Sequence, residues 1–411
     1  VPEFDPQPSR PGFPLGASVT AAELAQDPHP VLRRLREAEP VSWVPALGGW
    51  LVTRADLAEQ VMRDARVFTV DDPRFTTARV VGPSMLSLDG AAHRRHRDPF
   101  SRALRASETR SRLAMAAATE ASGLVGALAA DGSAAELRRG LAGQLAVAVM
   151  ADMLGLDAAP GQLLQWYDAI VAGVSALSVA NGPAAGQPDD WLRQVPAAAA
   201  GAFSELSAQV EAALTRGTRG SVLGAAADEG LATGEIVSNA AVLLFGGIET
   251  TEGMICNVIW YVLREQGVLA QVIADRALLD CAIEEALRLE PAAAVVDRYA
   301  TGDVGLGSAV IRSGELVTVS LAGANRDPAV FRDPDRFDLH RANARQHLAF
   351  AIGPHFCVGA QLARTEASAA VGALLDQMPG LRLDPGRPGA PQGLVFRKPP
   401  ALHVLWDAAR A

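Results

Sequence analysis

The stretch Phe350-Ala-Ile-Gly-Pro-His-Phe-Cys-Val-Gly359, continued by Ala360-Gln-Leu-Ala-Arg364, decides how this chain is read. Gly353 and Gly359 frame a cysteine within a short loop, and a segment of apolar helical spacing follows. Glycine makes turns that residues with a Cβ make only under strain. Cys357 stands just before the helix, whose partial positive N-terminus lowers a nearby thiol pKa. Phe350 supplies an apolar ring that can pack near the sulfur and exclude water. A thiolate ligand to haem iron needs such a loop, with backbone N–H groups around the sulfur and shielding from solvent. The plainer alternative is a small buried thiol, the usual fate of a lone cysteine. A zinc site on His355 and Cys357 lacks further ligands at metal-site spacing. A four-cysteine iron–sulfur cluster cannot be built from Cys256, Cys281 and Cys357 unless another ligand type substitutes.

Two other stretches lie upstream. Glu284-Glu-Ala-Leu-Arg288 precedes Pro291, which ends a helix. Its i,i+3 and i,i+4 acid–arginine pairs, taken alone, are ordinary helix-surface features worth about 0.2–0.5 kcal/mol each. Phe245-Gly-Gly-Ile-Glu-Thr-Thr251 places two glycines inside an apolar helix, at a cost of about 2 kcal/mol relative to alanine. Close approach of another helix is one reading. The other is a helix thinned where a flat ligand and dioxygen must fit, with carbonyls and hydroxyls free to hold water.

The rest of the chain constrains the class. Of 411 residues, 49% are apolar, enough for a large core, although only 5% are aromatic. Length alone suggests two or three domains, a soft prior. A net charge of −9 argues against general nucleic-acid binding. Lys398 is the only lysine; every other strongly basic residue is arginine. Three cysteines without paired spacing argue against a disulfide framework and for a reducing, cytoplasmic setting. Residues Val1 to Gly16 are Pro-rich and do not read as a signal peptide. The uncharged run Ile236 to Ile248 is 13 residues long, whereas a membrane helix needs about 20. A soluble protein without a membrane span is expected.

Val41-Ser-Trp-Val-Pro and Trp50-Leu-Val-Thr read as a hairpin turned at Gly48-Gly49, followed by a helix from about Arg54 to Arg63. Phe68 to Gly90 is irregular. From His93 to Leu289 the periodicity is helical, broken at 155–161, 181–188 and 217–234, with 233–265 as one long helix. After Pro291 short strand-like runs alternate with turns: Val304–Leu306, Ala309–Ile311 and Leu316–Leu321. The expected fold is mainly α with small β-sheets near 41–53, 298–321 and 393–406, and residues 1–411 form one interdependent unit.

The cysteine stretch resembles the haem-binding loop of the cytochrome P450 family, Phe-Gly-x-Gly-x-His-x-Cys-x-Gly running on into Leu-Ala-Arg. Ala351 stands where that family usually has glycine. Glu285 and Arg288 match the family's Glu-x-x-Arg motif, and Pro334-Asp-Arg-Phe337 resembles its partner, with Arg336 completing a buried ion network. The 245–251 stretch resembles the oxygen-activation segment. His93-Arg-Arg-His-Arg97 matches the family's His-x-x-x-Arg pattern, and with it four motifs in the family's order, from 93 to 364, extend the resemblance over essentially the whole chain.

This resemblance implies the triangular, helical P450 fold around a buried haem b, with Cys357 as the metal ligand. Phe350 and Gly359 flank the cofactor. His93, Arg97, Arg298 and His355 neutralise the haem propionates, and His347 is a weaker candidate. Glu249 and Thr250 form the catalytic acid–alcohol pair that relays protons to dioxygen. The implied reaction inserts one oxygen atom from O2 into a small hydrophobic substrate of natural-product or terpenoid type. Electrons come from a separate ferredoxin and reductase, and some of Arg102, Arg105, Arg110 and Arg112 assist docking. The pocket draws on 68–90, 166–195, Ala241 to Glu249, Ala292 to Val296 and Gly393 to Phe396. A peroxide-driven haem enzyme and a non-catalytic haem sensor are the alternatives, and the acid–alcohol pair counts against both.

Overall fold

The computed structural model describes residues 12–180, 195–217 and 221–407. Side chains from 175 to 180 are excluded from the description. The helix Thr233–Arg264 organises the rest. At its start the Glu235 carboxylate accepts from the Ala232 backbone N–H at 2.8 Å. Arg264 in its last turn complements the helix dipole. Residues from Ile236 to Leu244 are all buried, so this helix is covered on every side rather than along one stripe. Its first half joins one hydrophobic cluster with Phe100, Met150 and Trp166. Its second half joins another with Ile283, Val371 and Leu374. One helix therefore passes through both cores.

Among the described residues, ten strands accompany the helices: β1 (Val41–Val44), β2 (Gly49–Val52), β3 (Phe68–Thr69), β4 (Ala134–Glu136), β5 (Val295–Ala300), β6 (Val304–Leu306), β7 (Ala309–Ile311), β8 (Leu316–Ser320), β9 (Arg382–Leu383) and β10 (His403–Leu405). The main sheet has the order β1-β2-β8-β5-β3. The expected hairpin forms, with Val41 opposite Val52 and Trp43 opposite Trp50. Gly48 turns it at φ +64°, and β2 then pairs parallel with β8. β6 and β7 form their own antiparallel pair.

Some elements depart from the expectation. The 68–90 stretch contains β3 and a short helix, Thr76–Val81. β4 interrupts the region read as helical, and it pairs with β10 from the far end of the chain. Nothing in Ala134-Ala-Glu136 favours a strand; the long-range partner dictates it. The proposed break at 181–188 lies outside the described residues.

On length and composition, Ser107–Asp131 and Thr233–Arg264 are both capable of crossing a membrane. In the first, Ala117, Ala121 and Val125 are fully buried against the core. The second is the central helix already described.

Candidate active site

A cavity lies between the long helix and the cysteine loop. Cys357, Phe350 and Gly359 line one wall; Gly246, Gly247 and Thr250 line the opposite one.

The cysteine wall is built by three devices. The Cys357 N–H donates to the Phe350 carbonyl at 2.9 Å, closing the loop. Gly353 adopts φ +75°, and a Cβ there would lie 2.6 Å from the Met62 carbonyl oxygen. The loop thus sits directly on the helix Ala55–Arg63. Ala351 also adopts a left-handed φ, +54°, a conformation that favours glycine. Gly359 differs from its expected role: its φ is −91°, which any residue tolerates. A Cβ on it would meet nothing within 4 Å, and its backbone N–H is hydrogen-bonded to the Cys357 sulfur. Burial pushes the Cys357 thiol up, while that N–H and the nearby Arg97 and Arg364 favour the thiolate.

The network under this wall differs from the expected one. Arg288 donates to both Glu285 oxygens at 2.7 and 2.8 Å, and both side chains are fully buried. The third member is Arg341, whose Nε is 2.9 Å from Glu285 Oε1. Arg336 is exposed and contributes only its carbonyl, which accepts from Arg288 and Arg341 at 3.1 Å. The turn after Pro334 directs the Arg336 side chain outward, and five residues later the chain returns to the acid. Glu284 does not pair with Arg288. Its oxygens accept from Arg364 at 2.5 and 3.0 Å and contact His347 Nε2 at 3.1 Å. His347 is therefore committed to Glu284 and is absent from the cation cluster described below. Arg364 also stacks over the Phe350 ring at 4.5 Å, tying this second network to the cysteine loop.

On the opposite wall, the two glycines have different roles. A Cβ on Gly247 would collide with the Met150 side chain, so that glycine permits helix packing. A Cβ on Gly246 would meet nothing within 4 Å and would project into open space. The Thr250 hydroxyl donates to the Gly246 carbonyl at 2.5 Å. Glu249, the residue just before it, faces elsewhere: its Oε1 lies 2.7 Å from Lys398 Nζ, and the residue does not line the cavity. Consecutive helical residues point about 100° apart, so acid and alcohol occupy different faces.

Buried nitrogens gather at one edge. His93 and His355 rings are 4.3 Å apart, and Arg298 is 4% exposed. The Arg97 guanidinium reaches the Phe356 carbonyl. Asp89 accepts from Thr69 at 2.6 Å and contacts His355 at 2.8 Å. Burial raises the Asp89 carboxyl, but those partners outweigh it and hold it at about 2. Burial, with His355 and Arg97 nearby, holds His93 down at about 4. His93 Nε2 is buried without a hydrogen-bond partner. Haem suits this space. Cys357 would hold its iron, and Arg97, Arg298, His355 and the orphaned His93 nitrogen would be available to its propionates.

The apolar end of the cavity takes Met85 and Leu86 from 68–90, Val242 and Leu243 from the long helix, and Ala292, Ala293 and Val296. Residues 393–396 do not line it; Phe396 instead packs edge-on against Phe245 with centroids 5.6 Å apart. Residues from 166 to 174 do not line it either, and side chains from 175 to 194 lie outside the described residues. Met150 and Met153 line it from the helix Gly143–Leu154, which carries no motif. Glu366 lines it too, its Oε2 unpartnered and its carboxyl pushed well up by burial. Its place nine residues after the cysteine on an apolar helix face was the available sequence signal.

Similarity to known proteins agrees with this geometry. The Cytochrome P450 family profile matches residues 220–379. Cytochrome P450 monooxygenase PikC of Streptomyces venezuelae is 35% identical, over 98% of this chain and 96% of that protein. Mycinamicin IV hydroxylase/epoxidase of Micromonospora griseorubida is 34% identical, over 90% of this chain and 94% of that protein. The crystal structure of CalO2 superimposes with a TM-score of 0.81 at 29% identity, covering 93% of this chain and 96% of that one.

Proposed function

The chain belongs to the cytochrome P450 family and is a monooxygenase, and from this premise we propose how its own residues serve the reaction. Cys357 is the thiolate ligand of a haem b. Phe350 and Gly359 flank that ligand, and His93, Arg97, Arg298 and His355 hold the propionates. The observation that carries this reading is the facing of Cys357 and Thr250 across one cavity that Arg97 and His355 also line, with His93 and Arg298 buried beside His355. When bound, the haem supplies the one-electron steps and the activation of dioxygen.

The protein's part is binding, water exclusion and proton handling. Thr250 presents its hydroxyl at the cavity, donating to Gly246 when no other acceptor is near. Glu249 supplies protons to that hydroxyl from the other face of the helix. The lining of Met85, Leu86, Val242, Leu243 and Val296 offers an organic substrate apolar contact and little hydrogen bonding. A hydrophobic natural product, hydroxylated or epoxidised, suits that lining, as the names of the relatives also suggest.

Electrons come from a ferredoxin-type donor and its reductase. Arg105 and Arg110 are exposed on the stretch from 93 to 112, and they carry the docking role. Arg102 and Arg112 are less suited to it, because they already pair with Glu229 and Asp152. The chain acts as one soluble, cytoplasmic unit. The test is turnover of an apolar macrolactone or terpenoid with a surrogate ferredoxin and reductase under labelled dioxygen. One labelled oxygen atom in the product is the expected result. Peroxide-supported turnover with none from the donor proteins would overturn the reading.

A further inference from the structure

Asn239 is fully buried on the long helix, and its amide makes three contacts. Its Oδ1 accepts from the Met85 backbone N–H at 2.9 Å. Its Nδ2 donates to the Glu235 carbonyl at 2.7 Å and meets His96 Nδ1 at 2.9 Å. A backbone N–H only donates and a carbonyl only accepts, so these two partners fix which way the amide points. The second Nδ2 hydrogen then falls on His96 Nδ1, which must be a bare acceptor. The ring is therefore neutral, with its proton on Nε2, 3.4 Å from Glu235 Oε1.

Met85 belongs to the turn 84–87, which supplies Met85 and Leu86 to the cavity wall. The Ser84 N–H donates to Ser87 Oγ at 3.1 Å, and the Ser87 N–H to the Ser84 carbonyl at 3.1 Å. These bonds hold the shape of the turn but not its place. Among the described residues, the bond to Asn239 is the one that ties the backbone of this turn to the long helix.

We propose that Asn239 is a positioning residue that sets this wall of the substrate pocket by pinning Met85, and that protonation of His96 undoes the pin. The inference rests on the monooxygenase reading, in which the cavity receives the substrate. A protonated His96 carries hydrogens on both nitrogens, so its Nδ1–H would face the Asn239 Nδ2 hydrogens. Turning the amide over satisfies His96 but points Nδ2 at the Met85 N–H and Oδ1 at the Glu235 carbonyl. Either way buried like groups face each other, and the bond that holds Met85 weakens.

Few charges bear on the ring. Burial, the larger influence, and Arg95 on its own helix oppose the imidazolium, while Glu235 on the long helix favours it; the balance lowers the ring below 6.5. Glu235 is itself shared with Arg95, at 2.8 Å. The segment 80–88 brings no charged side chain. Glu229, just beyond the helix Val222–Asp228 that packs on the His96 helix, is held by Arg102. The pin is therefore complete above about 6.5 and fades as pH falls through the lowered value.

Met85 is the only methionine that follows a serine. Serine labelled at its carbonyl carbon and methionine labelled at its nitrogen therefore give one magnetic resonance signal selected for this amide. In the haem-loaded, reduced, carbon-monoxide-bound protein, its solvent exchange, corrected for intrinsic pH dependence, should be several-fold faster at pH 5.5 than at pH 7.5. H96Q keeps an acceptor that does not titrate and should abolish the difference. N239L should exchange fast at both pH values. N239D should reverse the order, because the imidazolium then donates to a carboxylate that also holds Met85. Progesterone, a neutral polycycle used as the probe and followed by the haem spin-state shift, should bind in the same order across the four proteins. If N239L folds poorly, H96Q and N239D decide, since each keeps a polar group in place. Equal exchange in parent and N239L, or a pH difference that survives H96Q, would overturn the proposal. So would progesterone affinity that is unchanged in variants whose exchange has changed. Absence of any progesterone shift in the parent would instead count against the apolar-substrate reading, and the amide exchange would still decide the pin.

Discussion

Arg341 Nε lies 2.9 Å from Glu285 Oε1, and this contact closes the buried ion network beneath the cysteine loop. Arg341 also donates to three carbonyls, those of Arg332, Asp333 and Arg336. One guanidinium therefore ties the turn from 332 to 336 to the Glu285–Arg288 helix.

R341M should lower stability by about 3 kcal/mol, because it strips a partner from a buried carboxylate and leaves several carbonyls unpaired. R336A should cost less than about 0.5 kcal/mol, since the carbonyl that Arg336 contributes survives the substitution. Denaturant unfolding of both variants checks the pair. Equal losses would place the network at Arg336 after all.

Ala351 is one of two non-glycine residues with positive φ among those described. A351G should stabilise the protein by about 1 kcal/mol by relieving left-handed strain. Thermal unfolding measures this. The opposite change at the neighbouring glycine, G353A, should be severe, because its Cβ would press on the Met62 carbonyl. Haem retention after gel filtration reports that loss.

Thr250 should matter for coupling more than for folding. T250A removes the hydroxyl that caps the Gly246 carbonyl, and with it the final proton donor at the cavity wall. Product per reductant should fall about tenfold or more, with peroxide taking up the difference. Reductant consumption itself should stay near the parent rate. Product and peroxide assays on the same sample give both quantities.

Acid should weaken the support of the cysteine loop through Glu284. Burial raises this carboxyl, but bonds from His347 and Arg364 outweigh it and lower the carboxyl from 4.5 to about 2. A depressed acid stabilises the fold above its unfolded pKa, and that stabilisation fades as pH falls from about 4.5 to about 2. E284Q should cost on the order of 3 kcal/mol at pH 6 and progressively less toward pH 3. A difference from the parent that stays constant with pH would show that the charge at Glu284 is not what counts.

The cysteine loop, the long helix and the hairpin at 41–53 were legible because each combines a local pattern with its own punctuation. β4 was not legible, since Ala134-Ala-Glu136 becomes a strand only when β10 arrives from the end of the chain. The network partner was misplaced for a related reason. Arg336 and Arg341 are both plausible by spacing, and only the path of the turn decides which one points inward. Glu249 and Thr250 were read together as adjacent letters, but helical geometry places them on different faces, and the partner of the acid lies 149 residues away in sequence at Lys398. Met150 and Met153 could not be found at all, because a methionine that lines a cavity and one that fills a core look the same in sequence.

The central claim is that Cys357 is the thiolate ligand of a bound haem. The spectrum of the reduced, carbon-monoxide-bound protein tests it most directly. The account predicts a Soret band red-shifted as for a thiolate-ligated haem, lost or altered in C357S while C256S and C281S leave it unchanged. A parent spectrum typical of histidine ligation, or a C357S spectrum identical to the parent, would contradict it.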